Sequence, residues 1–174
     1  MSKKIYITGI SGSGKSAIAK ELKNRGIFAF DIEQADGLCS WVDKKTHQRV
    51  SDYIPTRDWL EAHDWICDEE KLKEHINTAK DTIIVTGIAT NQDDYLKLFD
   101  KIFLLQCKEK TFLNRLETRH TKPGENGFGK LAAEREYALK GYRDFEDKMI
   151  KVGAIPINAE LPITEVADKI LSKV

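Results

Sequence analysis

Five short apolar runs punctuate an otherwise polar chain, at residues 4–8, 27–31, 82–86, 101–106 and 154–158. Several are hydrophobic at nearly every position, as in Ile83-Ile84-Val85 and Ile102-Phe103-Leu104-Leu105. Successive strand residues point to opposite faces, so unbroken hydrophobicity means that both faces are covered. Between these runs the apolar spacing lengthens to that of a helix. Ile18, Ala19 and Leu22 share one face before a stop at Gly26, and Leu72, Ile76 and Ala79 mark a helix over 69–79. Asn91 is placed to cap a helix over 92–99, and Phe112, Leu113 and Leu116 define one over 110–119. A stripe of Ala138, Tyr142, Phe145, Met149 and Val152 runs through 131–152, and Pro162 opens a last helix. Strand alternating with helix predicts an α/β fold of three layers, a five-stranded parallel sheet with helices on both faces.

Two segments break the rhythm, and in a regular α/β alternation such breaks are where binding loops are inserted. Residues 34–68 hold Trp41, Tyr53, Trp59 and Trp65 together with Arg49 and Arg57. Residues 119–130 read Arg-His-Thr-Lys-Pro-Gly-Glu-Asn-Gly-Phe-Gly-Lys, too rich in glycine for a helix and charged enough to face a phosphate. The first is expected to be an acceptor-binding insertion and the second a lid. With 174 residues the chain fits one domain, 1–174, carrying both.

Composition narrows the function mainly by exclusion. Twenty-eight basic residues balance 28 acidic ones, so nothing draws the chain generally toward nucleic acid or an anionic membrane. No apolar run approaches the roughly 18 residues of a transmembrane helix, and residues 1–10 read as a strand and not a signal peptide, so a cytoplasmic protein is expected, as monomer or homodimer. Cys39, Cys67 and Cys107 have neither metal-ligand nor disulfide spacing and are expected to be reduced, and the four histidines show no zinc spacing.

The decisive chemistry lies at Gly9 to Ser16, Gly-Ile-Ser-Gly-Ser-Gly-Lys-Ser, a complete phosphate loop between the first strand and the first helix. Its glycines let successive N–H groups point inward at a phosphate, and the helix start adds its dipole. Gly9, Gly12, Ser13, Gly14, Lys15 and Ser16 are the expected ATP ligands, with Lys15 on the β- and γ-phosphates and the Ser16 hydroxyl on Mg²⁺.

With these elements in order, the chain resembles the nucleoside monophosphate kinase and shikimate kinase group of P-loop phosphotransferases. The resemblance rests on the phosphate loop, on Asp31 and Glu33 at the end of strand two, on Arg115 and Arg119 in Arg-Leu-Glu-Thr-Arg, on the glycine-rich lid, and on Ile155-Pro-Ile-Asn-Ala before the last helix. It implies the sheet order 2-3-1-4-5. It also implies that Asp31, in the place of the first Asp of an Asp-x-Asp pair, holds Mg²⁺ through water and orients or deprotonates the attacking hydroxyl. Glu33 would grip the acceptor, Arg115 stack on adenine and Arg119 touch the transferring phosphate. Strand three ends in Thr86-Gly87-Ile88 without the acid that many P-loop ATPases place there, which shifts weight to Asp31 and counts against a mechanochemical ATPase.

Monophosphate kinases of this group carry Gly-x-Pro-Arg after strand three, whereas here the loop is the neutral Gly87-Ile88-Ala89-Thr90-Asn91. A neutral or singly charged acceptor with a free hydroxyl is therefore expected, a nucleoside or a shikimate-like polyol acid, with Asp31, Glu33, Arg57 and Gly87 around it. A monophosphate kinase is the alternative if Arg49, Arg57 and Arg135 converge; a non-catalytic nucleotide switch is the other.

Overall fold

A computed structural model describes residues 3–119 and 127–174. Its main sheet comprises β1 (Lys4–Thr8), β2 (Phe28–Asp31), β5 (Ile83–Thr86), β6 (Lys101–Gln106) and β7 (Ile155–Asn158), in the spatial order β2-β5-β1-β6-β7. All neighbours in it are parallel. Counted over these five strands alone, the order is 2-3-1-4-5.

The unbroken apolar runs are explained by alternation. Ile5, Ile7, Ile84, Phe103 and Leu105 face a core closed by Ile18 and Leu22 of α1 (Lys15–Asn24) and Val166, Ala167 and Ile170 of α7 (Ile163–Leu171). Tyr6, Ile83, Val85 and Leu104 face the opposite core. That side is filled by Leu72 and Ile76 of α3 (Glu69–Asn77), Tyr95 of α4 (Gln92–Tyr95) and Met149 of α6 (Ala132–Lys151). α5 (Glu109–Glu117) packs Phe112 and Leu116 against Ile10 and Tyr142.

The insertion has structure of its own: β3 (Cys39–Asp43) pairs antiparallel with β4 (His63–Cys67), and α2 (Arg57–Ala62) lies between them. Sequence pattern alone does not reveal this hairpin, because every residue of β3 is only half-buried. Asn91 departs from its expected capping role. Its side chain makes no cap; instead it donates to the Cys67 carbonyl and accepts from the Cys67 amide, both at 2.9 Å. Together with the Thr90 amide donating to the Trp65 carbonyl at 2.8 Å, this ties the hairpin to the loop after β5. The helix expected over 92–99 ends at Tyr95 and continues as a 3-10 turn, Leu96–Leu98. Val152 lies just beyond α6 and is exposed.

Gly87 sits at the end of β5 with φ +151°, and a β-carbon there would come within 2.2 Å of Ile32 Cγ1. Its hydrogen atom is therefore what allows Ile32 to lie beneath the loop. Replacing Gly87 by alanine is expected to destabilise the fold by about 1–3 kcal/mol through overpacking of this buried contact, read as a lowered midpoint in urea.

Candidate active site

β2, β5 and β1 end side by side, with Asp31 paired to Thr86 and Thr86 in turn to Ile7. The phosphate loop begins directly beyond β1, so the loop and the β2 carboxylates share the carboxyl edge of the sheet, where open α/β folds hold their ligands. Gly12 adopts φ +85°, and a β-carbon on it would meet the Phe112 carbonyl at 2.7 Å, so the loop needs glycine both for its turn and for its seat on α5.

Four groups expected from the sequence meet here. Ser16 Oγ donates to Asp31 Oδ2 at 2.6 Å. Asp31 Oδ1 accepts the Glu33 amide at 2.9 Å, which fixes the carboxylate's orientation from within the same turn. Lys15, only 5% exposed, donates to the carbonyls of Gly9 and Ile10 and lies 3.4 Å from Glu33 Oε1. That oxygen also accepts the Ile88 amide at 3.1 Å. Burial pushes the Glu33 carboxyl above the usual glutamate range, against the opposing pull of the Lys15 ammonium. Ser13 Oγ and Thr86 Oγ1 are buried without a hydrogen-bond partner among the described residues, leaving polar positions that a bound oxygen would satisfy.

A hydroxyl and a carboxylate in direct contact are the hard oxygen donors that suit Mg²⁺. Among the described residues no three His, Cys, Asp or Glu side chains cluster as a metal cage. An ion here would be held by Ser16 and Asp31 together with phosphate oxygens and water, so the chain fits a nucleotide-borne Mg²⁺.

The arginines divide. Arg115 reaches back to the loop, its Nη1 lying 3.4 Å from the carbonyls of Gly12 and Ser13 and its Nη2 donating to Ala159 at 2.9 Å, so it joins the phosphate loop to the segment after β7. Arg119, expected at the end of the helix over 110–119, is not on that helix: α5 stops at Glu117, the Thr118 hydroxyl bonds the Asn114 carbonyl, and Arg119 donates to the Phe128 carbonyl at 3.3 Å. Most of the expected lid, including Lys122, lies outside the described residues. Arg57 is not brought to the site. It is 71% exposed and pairs with Glu61 at 3.3 Å, while Arg49 pairs with Asp68 and Arg135 donates to the carbonyls of Gly129 and Lys130. The convergence required for a monophosphate site does not occur.

Beside Glu33 opens a cavity of about 980 Å³, walled on one side by Trp41, Tyr53 and Trp65 of the insertion and on the other by Tyr137, Gly141 and Phe145 of α6. Ile88, Ala89 and Thr90 line it, and Gly87 does not. Trp41 contacts Tyr53, Trp59 and Trp65 with centroids 5.1 to 5.7 Å apart, so the four aromatics of the insertion form one cluster. Glu134 reads in the sequence as an ordinary first-turn helix acid. It is nearly fully buried; its Oε2 accepts the amides of Gly129 and Leu131 at 2.9 Å, and its Oε1 accepts the Tyr53 hydroxyl. Gly141, in the middle of a 20-residue helix, was the available signal for this wall.

Comparison with known proteins agrees with this architecture. A family model described as an AAA domain, AAA_18, matches residues 5–138. The chain belongs to this AAA domain family. No curated protein matches it significantly in sequence. Among solved structures, this AAA domain is similar in fold to a shikimate kinase from Acinetobacter baumannii in complex with shikimate, at 15% identity and TM-score 0.62 over 99% of this chain and 93% of the other. It is similar also to a deoxyadenosine kinase from M. mycoides with bound dATP, at 18% identity and TM-score 0.55 over 98% of each chain. A gluconokinase from Sinorhizobium meliloti 1021 gives 16% identity and TM-score 0.54 over 98% of this chain and 90% of that one. The AAA domain therefore has the fold of a small P-loop kinase of the nucleoside monophosphate and shikimate kinase type. No helix among its described residues is long and apolar enough to cross a membrane.

Proposed function

We propose that the protein is an ATP-dependent small-molecule kinase that moves the γ-phosphoryl group to a hydroxyl of an acceptor held in the cavity beside Glu33. The observation that carries this reading is the chain of contacts from Ser16 through Asp31 to Glu33 and Lys15, which links the phosphate loop through Asp31 to Glu33 on the wall of a largely apolar cavity. The kinases of similar fold, acting on deoxyadenosine, shikimate and gluconate, support transfer to a hydroxyl in general terms.

In this mechanism the loop amides and Lys15 hold the triphosphate and neutralise charge on the γ-phosphate. Ser16 and Asp31 would hold Mg²⁺, which when bound screens the phosphate oxygens and aligns the β- and γ-groups. Asp31 orients the acceptor hydroxyl and takes its proton as the oxygen attacks phosphorus. Glu33 accepts a hydrogen bond from a second acceptor group and keeps the first in line. Arg115 rests against the adenine end of the donor and Arg119 approaches the phosphates from the lid root. The end of β5 offers Thr86 where ATPases that activate water place a carboxylate, which favours transfer to an acceptor over hydrolysis.

Glu33 supplies a pH test. Its neutral form is favoured by burial, so its carboxylate is lost on acidification at a higher pH than for an ordinary glutamate. kcat/KM for the acceptor should fall on the acid side through that raised pKa, and Glu33→Gln should lower the plateau and remove the limb. An unchanged limb in the variant would assign the titration elsewhere. The function itself is tested by ADP release measured against panels of nucleosides, monophosphates, sugars and polyol acids. Acceptor-dependent turnover is expected, and its absence across all classes would overturn the kinase reading.

A further inference from the structure

The walls of the cavity bear on the kind of acceptor it takes. Resting on the phosphotransfer reading, we propose that the acceptor is an uncharged molecule bearing a planar aromatic ring, the chemistry of a nucleoside, and that its ring lies against the bare backbone of Gly141 opposite the insertion's indoles.

Charge is the first argument. An anionic acceptor, whether polyol acid or monophosphate, needs fixed cations with geometry to match, arginine above all. No described arginine lines the cavity. Arg49 and Arg57 are paired with Asp68 and Glu61, and Arg115, Arg119 and Arg135 donate to backbone carbonyls. Of the two lysines on the wall, Lys148 is paired with Asp93 and Lys130 stands exposed, while two carboxylates, Glu33 and Glu134, line the same space. Such a lining offers no guanidinium fork to a second anion and carboxylate oxygens to hydroxyl donors.

Surface and size point the same way. Trp41 and Trp65 occupy paired positions on one face of the hairpin with centroids 5.4 Å apart, and the Tyr53 ring lies within 20° of parallel to Trp41. Aromatic faces of this kind stack heterocyclic bases with little regard to identity. At about 980 Å³ the space is far more than a six-carbon polyol acid fills.

Gly141 adds an independent observation. Glycine within a helix is unfavourable relative to alanine, so its presence calls for a reason. A β-carbon built at Gly141 meets no atom within 4 Å, and the residue has no positive φ, so neither internal packing nor backbone conformation requires it. It does line the cavity. What its missing side chain leaves is a flat patch of helix open to the cavity.

The test uses the tryptophan fluorescence of the intact protein, all three indoles being in the insertion, with adenosine, uridine, their 5′-monophosphates, shikimate and gluconate titrated without ATP. Nucleosides should quench at micromolar to sub-millimolar concentration and be phosphorylated when Mg²⁺-ATP is added, and polyol acids should do neither. Gly141→Leu, with folding checked by its thermal midpoint, should weaken nucleoside binding at least tenfold and leave Mg²⁺-ATP affinity within twofold by calorimetry. Turnover of a polyol acid without nucleoside binding, monophosphates binding tenfold tighter than nucleosides, or no quenching by any nucleoside would each overturn the proposal. Nucleoside binding without transfer would leave the ring site standing and remove the kinase reading instead.

Discussion

Replacing Asp31 by alanine should lower kcat by about 10²–10⁴-fold while Mg²⁺-ATP still binds within severalfold of its normal affinity, the range expected for loss of a positioned general base. The two effects separate because the triphosphate is gripped chiefly by the loop and Lys15, which do not depend on this carboxylate. Asp31 is 6% exposed and already committed on both oxygens, to the Ser16 hydroxyl and to the Glu33 amide. An alanine there frees Ser16 and leaves that amide without its acceptor, so the loss extends beyond one proton transfer. Asn, which keeps the hydrogen-bond acceptor and loses the charge, should recover folding stability but not rate. Single-turnover kinetics alongside calorimetry distinguish these outcomes, and normal turnover by Asp31→Ala would remove the residue from the mechanism.

Lys15→Ala should weaken Mg²⁺-ATP binding about 100-fold or more, since charge-assisted hydrogen bonds to phosphate are worth about 1.5–3 kcal/mol each and this ammonium can make more than one. Lys15 also stands 3.4 Å from Glu33 and offsets part of the upward push that burial exerts on that carboxyl. Without the ammonium, Glu33 is protonated at still higher pH, so residual activity measured at saturating ATP should show its acid limb displaced toward alkaline pH. Lys15→Arg keeps the charge but places a planar fork where two carbonyls now hold a compact ammonium, and it should restore the limb without restoring full affinity. Calorimetry that finds ATP affinity unchanged in Lys15→Ala would contradict the assignment of the phosphate site.

The phosphate loop was legible because its chemistry is local: three glycines, a lysine and a serine at fixed spacing need only a strand before them and a helix after. The sheet was legible because strands buried on both faces are apolar at nearly every position, as β5 is at Ile83-Ile84-Val85. The hairpin inside the insertion was not, since β3 and the middle of β4 are half-exposed and the two strands pair across nineteen intervening residues, so neither periodicity nor turn chemistry marks them. Arg119 misled for a related reason. Four-residue spacing from Arg115 implies one face only while the helix lasts, and Thr118 ends it. The far wall of the cavity, with Glu134, Tyr137 and Gly141, lies on a helix whose sequence looks like ordinary surface, because a residue that faces a ligand and one that faces water are chosen by similar rules.

Glu134 gives the rim of the cavity a mechanical property. One carboxylate, buried at the start of α6, holds Tyr53 from the insertion with one oxygen and the amides of Gly129 and Leu131 with the other. Segments some eighty positions apart in the chain are thus riveted at a single point, and neither can swing away alone without stranding an anion or its donors in a dry setting. The two sides of the entrance are therefore bound to move as one jaw.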